Sequence, residues 1–436
     1  MMEKLKTIFL VLLVALSLVQ SYFLAYSMPN LDAKAKSELD YVKTEPLGEE
    51  EVVNNLISPE LLILHMGEDK HTVFYPSTQP YYDIILKKLQ DRVFKGIQLE
   101  ASNTVNWDQV RQEDQGVELR FGRAVPFELL QRVFKIEGNF VLSQDAIERI
   151  WIFSSKGREE VRTFFFSEDG RRVYEATRAD LTVGDVEGYV GFGQFWDAYE
   201  TDNGQLYYPT KPISRLLEIQ VNYDRYSTDQ MQANLFFDPN TTQSIPERLD
   251  TPLFYTDGKR GLSVEPASGW MTYTDPVAPT NSENDYIENV LAAVTFINQH
   301  GGWNGKHMLA QETVLEGEST IRFQQYYDQL PIVSSAALNI GYMQLVLQQG
   351  DVSSYERSLL VLGTQVTNKR SRQLLGGEPL KLLLAQAQAS GRKVKALFPA
   401  YKPSFIDDQL SLNLVWAIRL DNGEVAILAE SSPILS

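Results

Sequence analysis

From Thr7 to Tyr26 the chain carries no charged residue. About 20 residues at ~1.5 Å each give a helix of roughly 30 Å, the thickness of a hydrocarbon core. A cleaved secretion signal has a shorter apolar run, about 7 to 15 residues. The small residues Ala25 and Ser27 offer only a weak cleavage site. The expectation is therefore a retained transmembrane helix. Lys4 and Lys6 precede it and an acidic stretch follows (Asp32, Glu38, Asp40, Glu45), which orients the N-terminus to the cytoplasm. Residues 1–6 read as cytoplasmic, 7–26 as the membrane helix and 27–48 as a tether, with the bulk of the chain extracytoplasmic.

Past the tether the periodicity changes repeatedly. Ile57 to Leu64 is an apolar strand candidate, whereas Tyr82 to Leu89 places apolar residues at helical spacing. Val117 to Phe121 alternates like a strand, and Pro126 is placed to open a helix reaching Phe134. Strands follow at Arg149 to Ser154, Val161 to Phe166 and Arg171 to Thr177, the last two joined by a turn at Glu168-Asp-Gly170. These elements define a first α+β domain over 49–181.

Glycines and aromatics crowd the stretch Thr182 to Gly193, read as turns with close backbone packing, because its spacing fits neither a P-loop nor a dinucleotide fingerprint. A turn-dense, β-rich middle domain is expected over 182–281 and a final α+β domain over 282–436. In the last, Ser282 is the candidate N-cap of a helix, with Asp285 three residues on. Ile287, Val290, Leu291, Val294 and Ile297 form its buried face, and Gly301 and Gly302 its end. Strands are predicted at Ser319 to Phe323, at Gly341 to Gln348 with Met343, Leu345 and Leu347 on one face, and at Glu356 to Leu362. Pro379 opens another helix, Gly391 closes it, and Asp421-Asn-Gly423 turns a last hairpin. The fold class is α+β with antiparallel sheets.

Composition narrows the function. The 436 residues include no cysteine, so disulfides and thiolate metal sites are excluded. A net charge of -17 argues against nucleic acid as a partner. The acidity is uneven: ten basic residues face eight acidic ones from Ile340 onward. Lys369, Arg370 and Arg372 form a candidate basic docking patch for an acidic partner or an anionic wall polymer, set against the alternative of solvated strand-edge charges.

No catalytic, cofactor or metal constellation is expected. The four histidines, His65, His71, His300 and His307, lie in no metal motif and read as surface or packing residues. Ser390-Gly-Arg-Lys393 matches Ser-x-x-Lys, but Gly391 reads as a helix end and the accompanying motifs are missing. Asp257-Gly258 reads as a hairpin turn. Within the membrane segment, Ser17, Gln20 and Ser21 share one helix face, a candidate contact for a partner helix; alternatively, Gln20 reaches water at the interface.

Three short stretches carry a family likeness: Leu235-Phe-Phe-Asp-Pro239, Tyr255-Thr-Asp-Gly-Lys-Arg-Gly-Leu-Ser-Val264 and Met271-Thr-Tyr-Thr-Asp-Pro276. In that order and spacing the chain resembles the YycH regulatory proteins of Gram-positive bacteria. Phe323-Gln-Gln-Tyr-Tyr-Asp-Gln-Leu-Pro-Ile332 with its following strands is similar to the PepSY-like module of the related YycI proteins. The resemblance implies a non-enzymatic, single-pass membrane protein with three extracytoplasmic domains. It implies association with a YycI-like protein and the sensor histidine kinase YycG, or WalK, which controls cell-wall metabolism. Competing readings are an exported enzyme or wall-polymer-binding protein, or a PepSY-type protease inhibitor.

Overall fold

The computed structural model describes residues 47–434 except 79, 102–103, 139–144, 156–158, 246–252, 277–284, 316–317, 336–337, 349 and 407. Before residue 47 it describes Lys6 and Ser17, both helical and exposed, in a separate unit spanning Met1–Lys43. The expected membrane helix otherwise lies outside the described residues, among which no helix is long and apolar enough to cross a membrane. Thr44–Ser436 is one compact unit.

Its first sheet contains β1 (Leu61–Met66), β2 (His71–Phe74), β3 (Val93–Glu100), β4 (Gln115–Pro126), β5 (Lys135–Glu137), β6 (Ala146–Ser154), β7 (Val161–Ser167), β8 (Val173–Ala179), β9 (Tyr199–Glu200) and β10 (Tyr208–Pro209). Their order is β10-β9-β2-β1-β4-β6-β7-β8-β3-β5. Every pairing is antiparallel except β3 with β5. The interleaved helices are α1 (Val53–Leu56), α2 (Tyr81–Gln90), α3 (Trp107–Glu113), α4 (Phe127–Val133) and α5 (Val183–Gly191). Strand alternation gives this sheet two unlike faces. Leu62, Leu64, Val117, Leu119, Ile150 and Ile152 join the core that also holds residues of α2, α4 and α5. The other face presents His65, Glu118, Arg120, Arg149 and Trp151, next to an aromatic cluster of Trp151, Phe153, Phe164 and Phe166 with Trp107 of α3 packed on it.

The remaining strands make two more sheets. β11 (Leu217–Arg225) belongs to the second. A helix, α6 (Thr228–Leu235), leads to the third, built from β12 (Gln243–Ile245), β13 (Leu253–Thr256), β14 (Gly261–Glu265), β15 (Trp270–Thr274), β16 (Lys306–Leu315), β17 (Glu318–Tyr327), β18 (Leu330–Pro331), β19 (Tyr342–Gln348) and β20 (Asp351–Ser358). The chain then returns to the second sheet through β21 (Leu360–Gln373), β22 (Val394–Ile406), β23 (Gln409–Leu420), β24 (Val425–Glu430) and β25 (Ser432–Pro433). Helices α7 (Tyr286–Gln299) and α8 (Gly377–Ala389) interrupt the two runs. Strands of residues 182–281 are thus divided among all three sheets: β9 and β10 in the first, β11 in the second between β21 and β23, and β12 to β15 in the third. The α+β class with antiparallel sheets is as expected.

Three local expectations need correction. Thr182 to Gly193 is mainly helix, not turns. Thr182 and Asp185 form a reciprocal capping box, and Val186, Tyr189 and Val190 are buried on β1 and β4. That burial offsets the roughly 1 kcal/mol each glycine costs in a helix. Close backbone packing is confined to the following Gly193, where a Cβ would stand 2.7 Å from Thr72 Cγ2. The strand expected at Glu356 to Leu362 breaks at Leu359, whose N–H bonds to Gly269 O and whose carbonyl accepts from Tyr226 N, so β20 and β21 serve different sheets. Helix α7 is capped by Asp285, whose carboxylate accepts from Ile287 N at 2.8 Å and Glu288 N at 3.0 Å; Ser282 lies outside the described residues.

The stretch leading into α1 is fastened far along the sequence. Asn298 of α7 accepts from Glu51 N at 3.0 Å and donates to Glu51 O at 2.9 Å, while Trp303 Nε1 donates to the same Asn298 oxygen at 2.7 Å.

Candidate functional site: a cleft over a buried ion cluster

The Gly67-Glu68-Asp69 turn, all three residues at positive φ, folds β2 back on β1 so that His65 and His71 pair in register. Their Nδ1 atoms lie 3.2 Å apart. His65 Nε2 is 3.2 Å from Glu118 Oε2 on the adjoining strand, and His71 Nε2 is 3.2 Å from Asp69 Oδ1. Glu118 is 1% exposed and gathers two cations on its other oxygen, Arg120 Nε at 2.9 Å and Arg149 Nη1 at 3.1 Å. Burial alone would raise the Glu118 carboxyl, yet Arg120, the His65 hydrogen bond and Arg149 hold it well below the ordinary carboxylate range. Burial pushes His65 down and carries His71 to about 4, helped by His65 and opposed by Asp69. Both imidazoles are neutral at pH 7. Two neutral rings carry two N–H protons for three contacts, so at any moment two of the links Glu118–His65, His65–His71 and His71–Asp69 are hydrogen bonds.

A cleft of about 440 Å³ opens over this cluster, between the polar face of the first sheet and the adjoining ends of β22 and β23. Arg120, Arg149 and Trp151 line it, as do Trp107 and Arg111 of α3 and Tyr207 of the loop before β10. Trp151 stacks on Trp107 at 5.6 Å and lies 5.0 Å from His65. Arg149 lies over the Phe166 ring at 3.9 Å. At the rim, Lys395 stands 3.9 Å from Glu148 and 3.8 Å from Glu168, and burial raises the Glu148 carboxyl against the pull of Lys395. Three buried polar atoms on lining residues have no partner among the described residues: Arg111 Nε, Trp151 Nε1 and Tyr207 Oη. An unmet buried donor costs about 1–3 kcal/mol, so the arrangement is suited to taking up hydrogen-bond acceptors.

At the end of the cleft, where all three sheets approach, Arg419 of β23 forms a bidentate pair with Glu60. Although burial lowers the guanidinium's pKa, Glu60 raises it on balance.

The candidate residues from the sequence lie elsewhere. Ser17 is described, whereas Gln20 and Ser21 are outside the described residues. Lys369, Arg370 and Arg372 all fall on β21, but alternation sets Lys369 on the face opposite the other two. Lys369 and Arg370 are exposed, and Arg372 Nε is tied to Glu218 Oε2 at 3.1 Å. The hairpin and helix-end readings hold: Asp257 accepts from the amides of Lys259 and Arg260 in the β13–β14 turn, and Ser390 caps α8 ahead of Gly391 at φ +84°. All four histidines are buried. Among the described residues no group of three or more His, Asp or Glu is placed to hold a metal ion. Sequence reasoning missed the Glu118 cluster. Its signal was His65-Met-Gly-Glu-Asp-Lys-His71, a hairpin that sets two histidines opposite each other.

Comparison with known proteins places the architecture in a class of bacterial signalling regulators. The YycH protein C-terminal domain family matches residues 203–428, more than half of the chain, and the YycH protein N-terminal domain family matches residues 3–187. The chain belongs to the YycH family. It is 21% identical over 444 residues to the two-component system WalR/WalK regulatory protein YycH of Bacillus subtilis (strain 168), covering 97% of this chain and 95% of that protein. The crystal structure of YycH from Bacillus subtilis matches with a TM-score of 0.69 at 17% identity, covering 88% of this chain and 99% of that one, which establishes a shared fold.

Proposed function

We propose that this protein is a membrane-anchored, non-enzymatic regulator of a WalK-type (YycG) sensor histidine kinase, acting together with a YycI-like protein. The observation carrying the proposal is the match to a relative named as a WalR/WalK regulatory protein over 97% of the chain. In this reading residues 7–26 anchor the chain in the cell membrane with the N-terminus inside. Three extracytoplasmic regions follow at 49–181, 182–281 and 282–436, the last PepSY-like. Ser17, Gln20 and Ser21 face a partner helix, and the exposed Lys369 and Arg370 offer a docking point for an acidic partner, with Arg372 engaged internally. The regulator shifts its kinase only by binding one state better than the other, and a difference of about 1.4 kcal/mol changes the state ratio roughly tenfold.

The test is crosslinking and affinity capture of the tagged full-length chain from native membranes, beside a chain whose first 27 residues are replaced by an unrelated anchor. Capture of a sensor kinase and a YycI-like protein by the native chain, with the kinase lost after the swap, is the expected result. Equal capture by both would transfer the contact to the outer regions. Capture of neither would refute the proposal and leave the exported wall-binding, enzyme and protease-inhibitor readings.

A further inference from the structure

We propose that the cleft over the Glu118 cluster binds a small solute bearing an oxyanion, a carboxylate or a phosphate, with a flat apolar portion packed against Trp107. Four observations converge on it. Its volume, about 440 Å³, is that of a small-molecule pocket. Three of its lining residues carry a buried polar atom with no partner among the described residues, and two of these atoms, Arg111 Nε and Trp151 Nε1, can only donate. Trp151 and Tyr207 are 3% and 6% exposed, so neither side chain reaches bulk water to any extent. What completes them is an acceptor.

Charge selects the kind of acceptor. The inner wall holds the guanidinium groups of Arg111, Arg120 and Arg149 around the buried carboxylate of Glu118, while the other buried carboxylate of the lining, Glu60, is matched by Arg419. The histidines behind it add no negative charge. Asp108, the partner of Arg111, is 78% exposed and sits at the mouth, where solvent screens it. Arg120 is held through Nε, Nη1 and Nη2 by Glu118 and by the carbonyls of Gln205 and Gly204, so it fixes the wall. Arg111 and Arg149 remain to meet an anion, and a charge-assisted bond to either is stronger than one to a neutral acceptor. Shape supplies the second half of the ligand: Trp107 is half-buried, stacked on Trp151 and part of the cleft lining, a surface for a ring or other flat group. The rim carboxylates Glu148, Glu168 and Asp169 oppose deep entry of a second anionic group and favour a solute charged at one end.

The site is tested on the full-length chain in nanodiscs by calorimetric titration with benzoate, phenyl phosphate, inorganic phosphate and the neutral benzyl alcohol. Saturable binding of benzoate or phenyl phosphate, but not of benzyl alcohol, is expected; which of the two binds more tightly identifies a carboxylate or a phosphate as the source. Inorganic phosphate, lacking the flat group, binds more weakly than phenyl phosphate. Tyr207→Phe, which removes one oxygen, and Arg149→Gln each weaken binding by about tenfold or more. Unfolding of each variant is followed alongside, so that a folding defect is not mistaken for a lost contact. No saturable heat up to about 10 mM of any anion, equal binding of benzyl alcohol, or unchanged affinity in a folded Tyr207→Phe chain would overturn the site.

Discussion

Arg419 and Glu60, 359 positions apart, meet through Nη1–Oε2 at 2.7 Å and Nη2–Oε1 at 2.6 Å. Glu60 stands immediately before β1 of the first sheet, Arg419 on β23 of the second, and Tyr326 of the third lines the same small void of about 30 Å³. Arg419 also donates to Gly122 O at 2.9 Å and lies over the Phe398 ring. One side chain thus bonds two stretches of the first sheet to the second at the point where the third approaches.

Removing either partner leaves the other charge buried alone. Arg419→Met is expected to cost about 3–5 kcal/mol in chemical unfolding. Adding Glu60→Gln is expected to restore part of the loss, since no bare carboxylate then remains. A double variant as unstable as the two single losses summed would show that the pair does not act as a unit.

His71 makes stability depend on acid. Its folded value is about 4 against an ordinary 6.5, so the unfolded chain takes up the proton first as pH falls. The contribution is complete above pH 6.5 and is lost through pH 4, amounting to on the order of 3 kcal/mol. His307, held near 3 by burial, adds to the same trend. Unfolding free energies measured from pH 7 down to 4 should fall less steeply for His71→Gln than for the native chain, and parallel curves would remove His71 from the account.

On β21 the three basic residues should behave differently. Lys369→Gln with Arg370→Gln changes two exposed side chains and should leave stability within about 0.5 kcal/mol. Arg372→Gln strips the ion pair from Glu218, whose side chain is 9% exposed, and should cost about 1–3 kcal/mol. Thermal melts of the two variants check the contrast; similar losses would mean that Arg370 is engaged as well.

Asn298→Ala should loosen the stretch before α1. Both backbone groups of Glu51 and the indole N–H of Trp303 lose their partner together, a loss of about 1–3 kcal/mol. Amide hydrogen exchange at Glu51 should accelerate while exchange in β6 is unchanged. Protection at Glu51 equal to that of the native chain would show that Asn298 does not hold this stretch.

Much of the local structure was legible from spacing alone. Met343, Leu345 and Leu347 do share a buried face, the turns at Gly170 and Gly423 adopt the positive φ their hairpins require, and Gly301 and Gly302 end α7 as read. Those outcomes depend on contacts a few residues apart. The Gly-rich helix α5 was misread because its stability comes from what it covers, and glycine content signals only backbone cost.

The sequence by itself determined the α+β class, the positions of the more regularly patterned strands and helices and the likeness to the YycH family, since period and turn chemistry act locally. Only the tertiary structure decided that β11 lies between β21 and β23, roughly 150 and 190 positions further on, and that the polar positions of β4 face inward. Alternation told which residues of Val117 to Phe121 share a side; it did not tell what lies over that side. Covered by α3, β22 and the loop to β10, Glu118 and Arg120 became a buried ion cluster beneath a cleft instead of a wetted surface. A strand's period is written in its own residues, whereas its burial is set by chain segments hundreds of positions away.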